Sequence, residues 1–107
     1  EINNEILSLN IWATSSLMAP YYELLYQASK WLQKKGLSKM SSQKYITSLF
    51  SALSDNAVIN SKKDLKILVD NSQTPKGLNE QTLKKLKSSG FYKKFNNSLD
   101  DILKRLK

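Results

Sequence analysis

Apolar residues recur along this chain at spacings of three and four, which is the period of one face of an α-helix. A first helix is predicted over 1–16. Its apolar face consists of Ile2, Ile6, Leu9 and Ala13. A second helix is expected to start at Pro20, because proline suits a first turn, and to run to Lys35, where Gly36 ends it. Its apolar stripe is wide, which indicates burial on more than one side.

Two further helices are predicted in the middle of the chain. Ser41 or Ser42 is the expected N-cap of the third helix, which ends near Asn56. Its predicted buried face consists of Tyr45, Ile46, Leu49, Phe50, Ala52 and Leu53. Ser61 and Asp64 have the spacing of a capping box for a short fourth helix.

The last third of the chain predicts a loop and two helices. Helical periodicity lapses over 70–77, where turn-forming residues are dense, and returns over 78–88. Gly90 is expected to take a left-handed cap conformation before a closing helix over 91–106. Six helices and no strand predict an all-α fold.

Length and apolar content indicate one domain over 1–107, with one core or half of a core shared with a second copy. No segment approaches the roughly 20 apolar residues of a membrane span, so we expect no membrane partner. A small secreted domain would more often carry disulfides, so a chain without cysteine is expected to be cytoplasmic. The chain starts at Glu1 without an initiator methionine. We therefore expect it to be a fragment of a longer protein.

The sequence contains no cysteine and no histidine. Disulfides, thiolate nucleophiles, imidazole bases and the usual transition-metal ligand sets are thereby excluded, and no metal site is expected. With three glycines in total, the chain also lacks the glycine-rich loop that binds a dinucleotide. Any nicotinamide chemistry therefore needs a cofactor held by another domain.

The net charge of +8 favours contact with phosphate, but the kind of basic residue argues against recognition of nucleic-acid bases. Of 17 basic residues 16 are lysine, whereas direct base readout relies on the arginine fork, and Arg105 is the only arginine. Scattered lysine pairs are typical of solvated helix faces. The alternative interpretation is a small basic helical module, without catalysis, that binds nucleic acid or an acidic partner.

The stretch 69–106 has a valine, a turn at 74–77, a helix that ends in Gly90-Phe91 and an amphipathic closing helix. This order resembles the C-terminal segment of pyrroline-5-carboxylate reductases, where the turn reads Ser-Pro-Gly-Gly followed by Ala or Thr and then Thr. Upstream, Ala19-Pro20-Tyr21 is similar to the family's Gly-Pro-Ala-Tyr region. Leu17, Met18 and Ala19 replace the family's Gly-Ser-Gly.

The resemblance implies an interlocked helical dimerisation domain, similar to the C-terminal domain of 6-phosphogluconate dehydrogenase. It implies a homodimer, with a higher oligomer left open, in an NAD(P)H-dependent oxidoreductase of the proline-biosynthesis type. The cofactor would be bound by an N-terminal Rossmann domain that this chain lacks, so the fragment alone is expected to be inactive. Nucleic acid is not an expected partner of such an enzyme.

A carboxylate site is predicted at the turn, because a helix N-terminus leaves amide protons unpaired and carries partial positive charge. The resemblance implies that this seat binds the carboxylate of a cyclic imine. Its predicted substrate-binding residues are Thr74, Pro75, Lys76, Gly77, Leu78 and Asn79. The alternative is a plain connector with a helix cap.

Two departures from the family pattern bear on chemistry. Lys76 replaces the first glycine of the turn and adds a cation beside the predicted anion site. Asn79 stands where the family has the threonine proposed to give a proton to the imine nitrogen. An amide forms hydrogen bonds but cannot serve as that acid, so no catalytic residue is assigned. A different carboxylate-bearing substrate and a loss of catalysis both stay open.

Overall fold

The computed structural model describes residues 4–107 and is helical over most of this range. Within it there are six α-helices, one 3-10 turn and no strand, so the all-α prediction is confirmed. The helices are α1 (Asn4–Ala13), α2 (Met18–Lys34), α3 (Lys39–Ile59), α4 (Lys66–Asn71), α5 (Leu78–Ser88) and α6 (Phe91–Leu106). The predicted apolar residue Ile2 lies outside the described residues.

Helix α1 ends at Ala13, three residues before the predicted end, and a 3-10 turn follows over Thr14–Leu17. The reason lies in three consecutive hydroxyl side chains. Each donates to the carbonyl oxygen three residues earlier, at 2.5 to 2.7 Å: Thr14 to Ile11, Ser15 to Trp12 and Ser16 to Ala13. Such local bonds compete with α-helical geometry and favour the tighter turn.

Helix α2 begins at Met18, so Pro20 lies within its first turn instead of starting it. Gly36 ends the helix as predicted, with a φ of +109°. The Leu37 amide donates to the Leu32 carbonyl and the Gly36 amide donates to the Gln33 carbonyl, both at 3.1 Å. This pair of bonds is the Schellman motif, which satisfies carbonyls that the helix itself leaves free.

The predicted N-cap of α3 is wrong. Ser38 caps this helix, and its Oγ accepts the Ser41 amide proton at 3.1 Å. Ser41 therefore contributes its backbone and not its hydroxyl, while Ser42 is fully buried. The helix continues past Asn56 to Ile59, three residues beyond the predicted end.

The predicted capping box of α4 is also wrong. The helix begins at Lys66 after the N-cap residue Leu65, which makes no side-chain cap bond. Asp64, one residue before the cap, accepts the Lys66 amide proton on its Oδ1 at 3.0 Å. Helices α5 and α6 have the predicted bounds. Gly90, between them, has a φ of +82° and confirms the predicted left-handed cap.

The described chain forms two compact units. The first combines residues 4–18 with 73–107, and in it α1 and α5 both pack against α6. Ala13 is buried in this unit, and the half-buried apolar residues around it are Leu9, Leu17, Leu83, Leu86, Leu99, Ile102, Leu103 and Leu106.

The second unit comprises residues 19–72, with most of α2 and all of α3 and α4. Ile46 is its buried apolar residue, and the rings of Tyr21 and Phe50 meet edge to face at 6.2 Å. Other residues of the predicted buried face of α3 are exposed in the single chain, including Tyr45, which is 61% exposed. Burial in this unit is therefore slight.

No helix in residues 4–107 has both the length and the apolar character needed to cross a lipid bilayer. Large apolar side chains nevertheless lie at the surface of both units. Trp12 is 61% exposed and Trp31 is 60% exposed. Exposed apolar surface on this scale is unusual in a monomer and is typical of interaction surfaces.

Candidate functional site

The segment before α5 is a tight turn over residues 74–77. The Gly77 amide donates to the Thr74 carbonyl at 2.8 Å, which closes a four-residue turn with Pro75 at its second position. Lys76, at the third position, has a φ of +63°. A left-handed third residue after proline is the pattern of a type II turn, in which glycine is the usual third residue.

Gly77 is required by contact and not by its φ, which is −83°. A Cβ atom at this position would collide with the Thr74 hydroxyl and lie 2.9 Å from the Thr74 carbonyl oxygen. The two ends of the turn are therefore pressed together. This close approach brings the backbone of the turn up to the start of α5.

Helix α5 begins at Leu78, and Gly77 is its N-cap without a side-chain hydrogen bond. The Gln81 amide donates to the Gly77 carbonyl at 3.1 Å. The amides of Leu78, Asn79 and Glu80 precede this bond, so helical geometry gives them no acceptor in α5. The helix dipole adds partial positive charge at the same end.

A carboxylate of the chain already contacts this turn. Glu80 Oε1 accepts the Lys76 amide proton at 3.2 Å. The same oxygen lies 3.6 Å from the Lys84 ammonium, one helical turn further on. The carboxylate of Glu80 is thus held between a backbone donor and a cation.

A hollow of about 210 Å³ lies beside the turn within the first compact unit. Its lining residues are Gln73, Asn79, Thr82, Leu83, Leu86 and Tyr92. Gln73 and Asn79 flank the turn along the chain, so the hollow borders the predicted carboxylate seat. Leu83 and Leu86 give it apolar surface, while the other four side chains are polar.

Five of the six predicted site residues lie in the turn or line the hollow. Thr74, Pro75, Lys76 and Gly77 form the turn, and Asn79 lines the hollow. The Leu78 side chain is 84% exposed, so at this position the backbone amide is the group available for binding.

Sequence reasoning missed three polar residues of the hollow. Thr82 follows Asn79 by three positions, so helical periodicity was the signal that could have found it. Gln73 adjoins the predicted turn. Tyr92 lies on α6, and its place in the hollow depends on how α5 and α6 pack, which a periodic pattern does not specify.

The chain's residues do not fit a dinucleotide cofactor. Its glycines stand at 36, 77 and 90, each in a separate turn, whereas pyrophosphate binding needs several glycines in one loop between a strand and a helix. Among residues 4–107, no three acidic side chains cluster in a way that could hold a metal ion.

A family model described as pyrroline-5-carboxylate reductase dimerisation matches residues 7–107, which is nearly the whole chain. The chain belongs to the pyrroline-5-carboxylate reductase dimerisation family. No individual curated protein and no solved structure matches it. The suspected family and the C-terminal dimerisation domain are thereby confirmed.

The sequence resemblance sets Lys76 in place of a glycine, and its φ of +63° is a conformation that glycine adopts without strain. Asn79, which the same resemblance sets in place of a threonine, lines the hollow.

Proposed function

We propose that this chain is the dimerisation and substrate-binding domain of an NAD(P)H-dependent, pyrroline-5-carboxylate reductase-like oxidoreductase. The observation that carries the proposal is the family match over residues 7–107. The reaction would reduce the C=N bond of a cyclic imine that bears a carboxylate. A Rossmann domain elsewhere in the polypeptide would hold the dinucleotide, which supplies the hydride when bound.

A homodimer is the expected state of the domain, and exposed aromatic side chains support it. Within α2 alone, the side chains of Tyr22 and Trp31 are each 60% exposed. Obligate dimers often bury several thousand Å² in apolar interfaces. A second copy is the partner that the family description names, and the exposed apolar faces of α2 and α6 would pack against it.

The substrate carboxylate is proposed to bind the amides of Leu78 and Asn79 at the start of α5. The partial positive charge of the helix terminus and the Lys76 ammonium would both favour an anion there. The hollow beside the turn would receive the rest of a small ring. The Asn79 amide group would hydrogen-bond to the imine nitrogen or its product without supplying a proton by ionisation.

Light scattering across a dilution series is the experiment that tests the dimer. We expect a molar mass of two chains that persists to micromolar concentration, because an obligate interface binds tightly. A stable monomer at that concentration would contradict the proposal. Salt-dependent binding of DNA or RNA by that monomer would favour the basic binding-module alternative instead.

A further inference from the structure

We propose that Glu80 is a positioning residue, which holds the 74–77 turn in the shape that substrate binding needs. The inference rests on the proposed function, since the turn is the proposed carboxylate seat. Glu80 would not touch the substrate. It would act through the backbone of Lys76, the residue of the turn with the least favourable conformation.

The first observation is the backbone of Lys76. Its φ of +63° lies in the left-handed region, where the Cβ of an L side chain crowds the following carbonyl. A lysine has no special tolerance of this region, unlike glycine or asparagine. Some other contact must therefore stabilise the turn.

The second observation is the contact that Glu80 supplies. Its Oε1 accepts the Lys76 amide proton at 3.2 Å, which restrains the orientation of the strained peptide unit. In the usual capping box the glutamate at this third helical position bonds the N-cap amide. Here the N-cap amide of Gly77 is engaged by Thr74, so the glutamate reaches one residue further back.

The third observation is that the Glu80 carboxylate is itself restrained. The Lys84 ammonium lies 3.6 Å from the same oxygen, and the Glu80 side chain is only 28% exposed in this pair. Hydrogen bonds between a carboxylate and a backbone amide are stronger than neutral ones. Glu80 therefore joins the first two turns of α5 to the turn that precedes them.

Glu80 leaves the proposed ligand amides available. It bonds the amide of Lys76, which lies before the helix, whereas the amides of Leu78 and Asn79 belong to the first helical turn. The Lys84 ammonium offsets its negative charge locally. Glu80 therefore does not occupy the backbone amides that are proposed to bind the substrate carboxylate.

The test uses the full-length reductase and the variant Glu80→Ala. We expect the KM for the carboxylate-bearing imine to rise about tenfold with kcat changed less than about twofold, because a disordered seat must be ordered on binding. Hydrogen exchange at the Lys76 amide should accelerate about tenfold. Glu80→Gln, which keeps an acceptor oxygen, should restore most of both properties.

Two further variants make the test specific. Lys66 and Asp70 form another ion pair of the same i, i+4 type, at 2.8 Å. The control variant Asp70→Ala removes this pair and should leave KM unchanged. In a Lys76→Gly background the Glu80→Ala change should alter KM less than about twofold, since glycine adopts the turn unaided. A merely structural role for Glu80 would not depend on residue 76 in this way.

Two results would overturn the proposal. A lower KM in Glu80→Ala would show that the carboxylate competes with substrate. An unchanged KM together with faster exchange at Lys76 would show that the contact orders the turn without serving binding. If the wild-type enzyme reduces no carboxylate-bearing imine, the proposed function fails. Hydrogen exchange at the amide of residue 76 still decides whether Glu80 holds the turn, because the effect of Glu80→Ala can be compared in the wild-type and Lys76→Gly backgrounds.

Discussion

At the scale of single residues, Gly77 and Gly90 are both required, but for different physical reasons. Gly90 has a φ of +82° and open space around its Cα, so only its backbone conformation excludes other residues. Gly77 has an ordinary φ but no room for a Cβ. Substitution should therefore have different consequences at the two positions.

Gly90→Ala should lower the free energy of unfolding by about 1–2 kcal/mol, because alanine resists the left-handed conformation. Gly90→Asn is the matched control and should lose less, since asparagine visits that region more readily. Urea unfolding at one fixed protein concentration measures both. Equal losses in the two variants would mean that backbone conformation is not the cause.

Gly77→Ala should lower the free energy of unfolding by about 1–3 kcal/mol, because its Cβ would collide with Thr74 and force the turn to shift. The second variant Gly77→Ala with Thr74→Gly should recover part of the loss, since it removes the hydroxyl that is struck. Urea unfolding again provides the measurement. No recovery would place the strain on the Thr74 backbone oxygen.

Asn79→Thr should raise kcat of the full-length reductase roughly 10-fold to 100-fold, if an absent hydroxyl limits proton delivery to the imine nitrogen. Asn79→Ala is the control, and no gain is expected because alanine has no hydroxyl. Steady-state kinetics with the imine substrate measures both. A fall in kcat for Asn79→Thr would show that the asparagine suits a different substrate.

At the scale of helices, Ser38→Ala should lower the free energy of unfolding by about 1 kcal/mol, because the Ser41 amide at the start of α3 loses its acceptor. Ser41→Ala is the matched control and should cost little, since only the Ser41 backbone takes part. Urea unfolding of the two variants measures the difference. A larger loss in Ser41→Ala would contradict the observed cap.

Helix bounds were predictable where the ends carry strong local signals. The bounds of α5 and α6 agree with the prediction because Gly77 and Gly90 both interrupt the helical pattern at those points. The cap of α3 was misplaced because three serines precede or begin that helix, Ser38, Ser41 and Ser42, and any of them is a chemically suitable cap. The choice of Ser38 depends on where the Schellman motif at Gly36 ends the preceding helix α2.

At the scale of the whole molecule, Trp31→Glu should weaken dimerisation about 100-fold or more. Its ring is 60% exposed in the single chain, and buried aromatic residues often dominate interface energies. Lys30→Glu introduces the same side chain one residue earlier, on an exposed polar position, and should have little effect. Light scattering of dilution series compares the two, and equal dimer stability would exclude Trp31 from the interface.

The candidate site was predictable in part. The turn at 74–77 was identified because Pro75 and Gly77 are strong turn formers before a periodic helix. The bond between Glu80 and Lys76 was not predicted, because a glutamate at this helical position ordinarily bonds the N-cap amide, and here Thr74 engages that amide. Tyr92 was missed because only the packing of α5 on α6 brings it to the hollow.

The sequence by itself determined the helical class, the ends of α5 and α6 and the family, because periodicity and turn residues act locally along the chain. The three-dimensional structure decided which residue caps α3, that Lys76 adopts a left-handed backbone, and which polar residues meet beside the turn. It also decided that Ala13 and Ile46 are the buried apolar residues among those described. An apolar stripe predicts that one face of a helix is buried, whereas only three-dimensional packing shows which residues bury it.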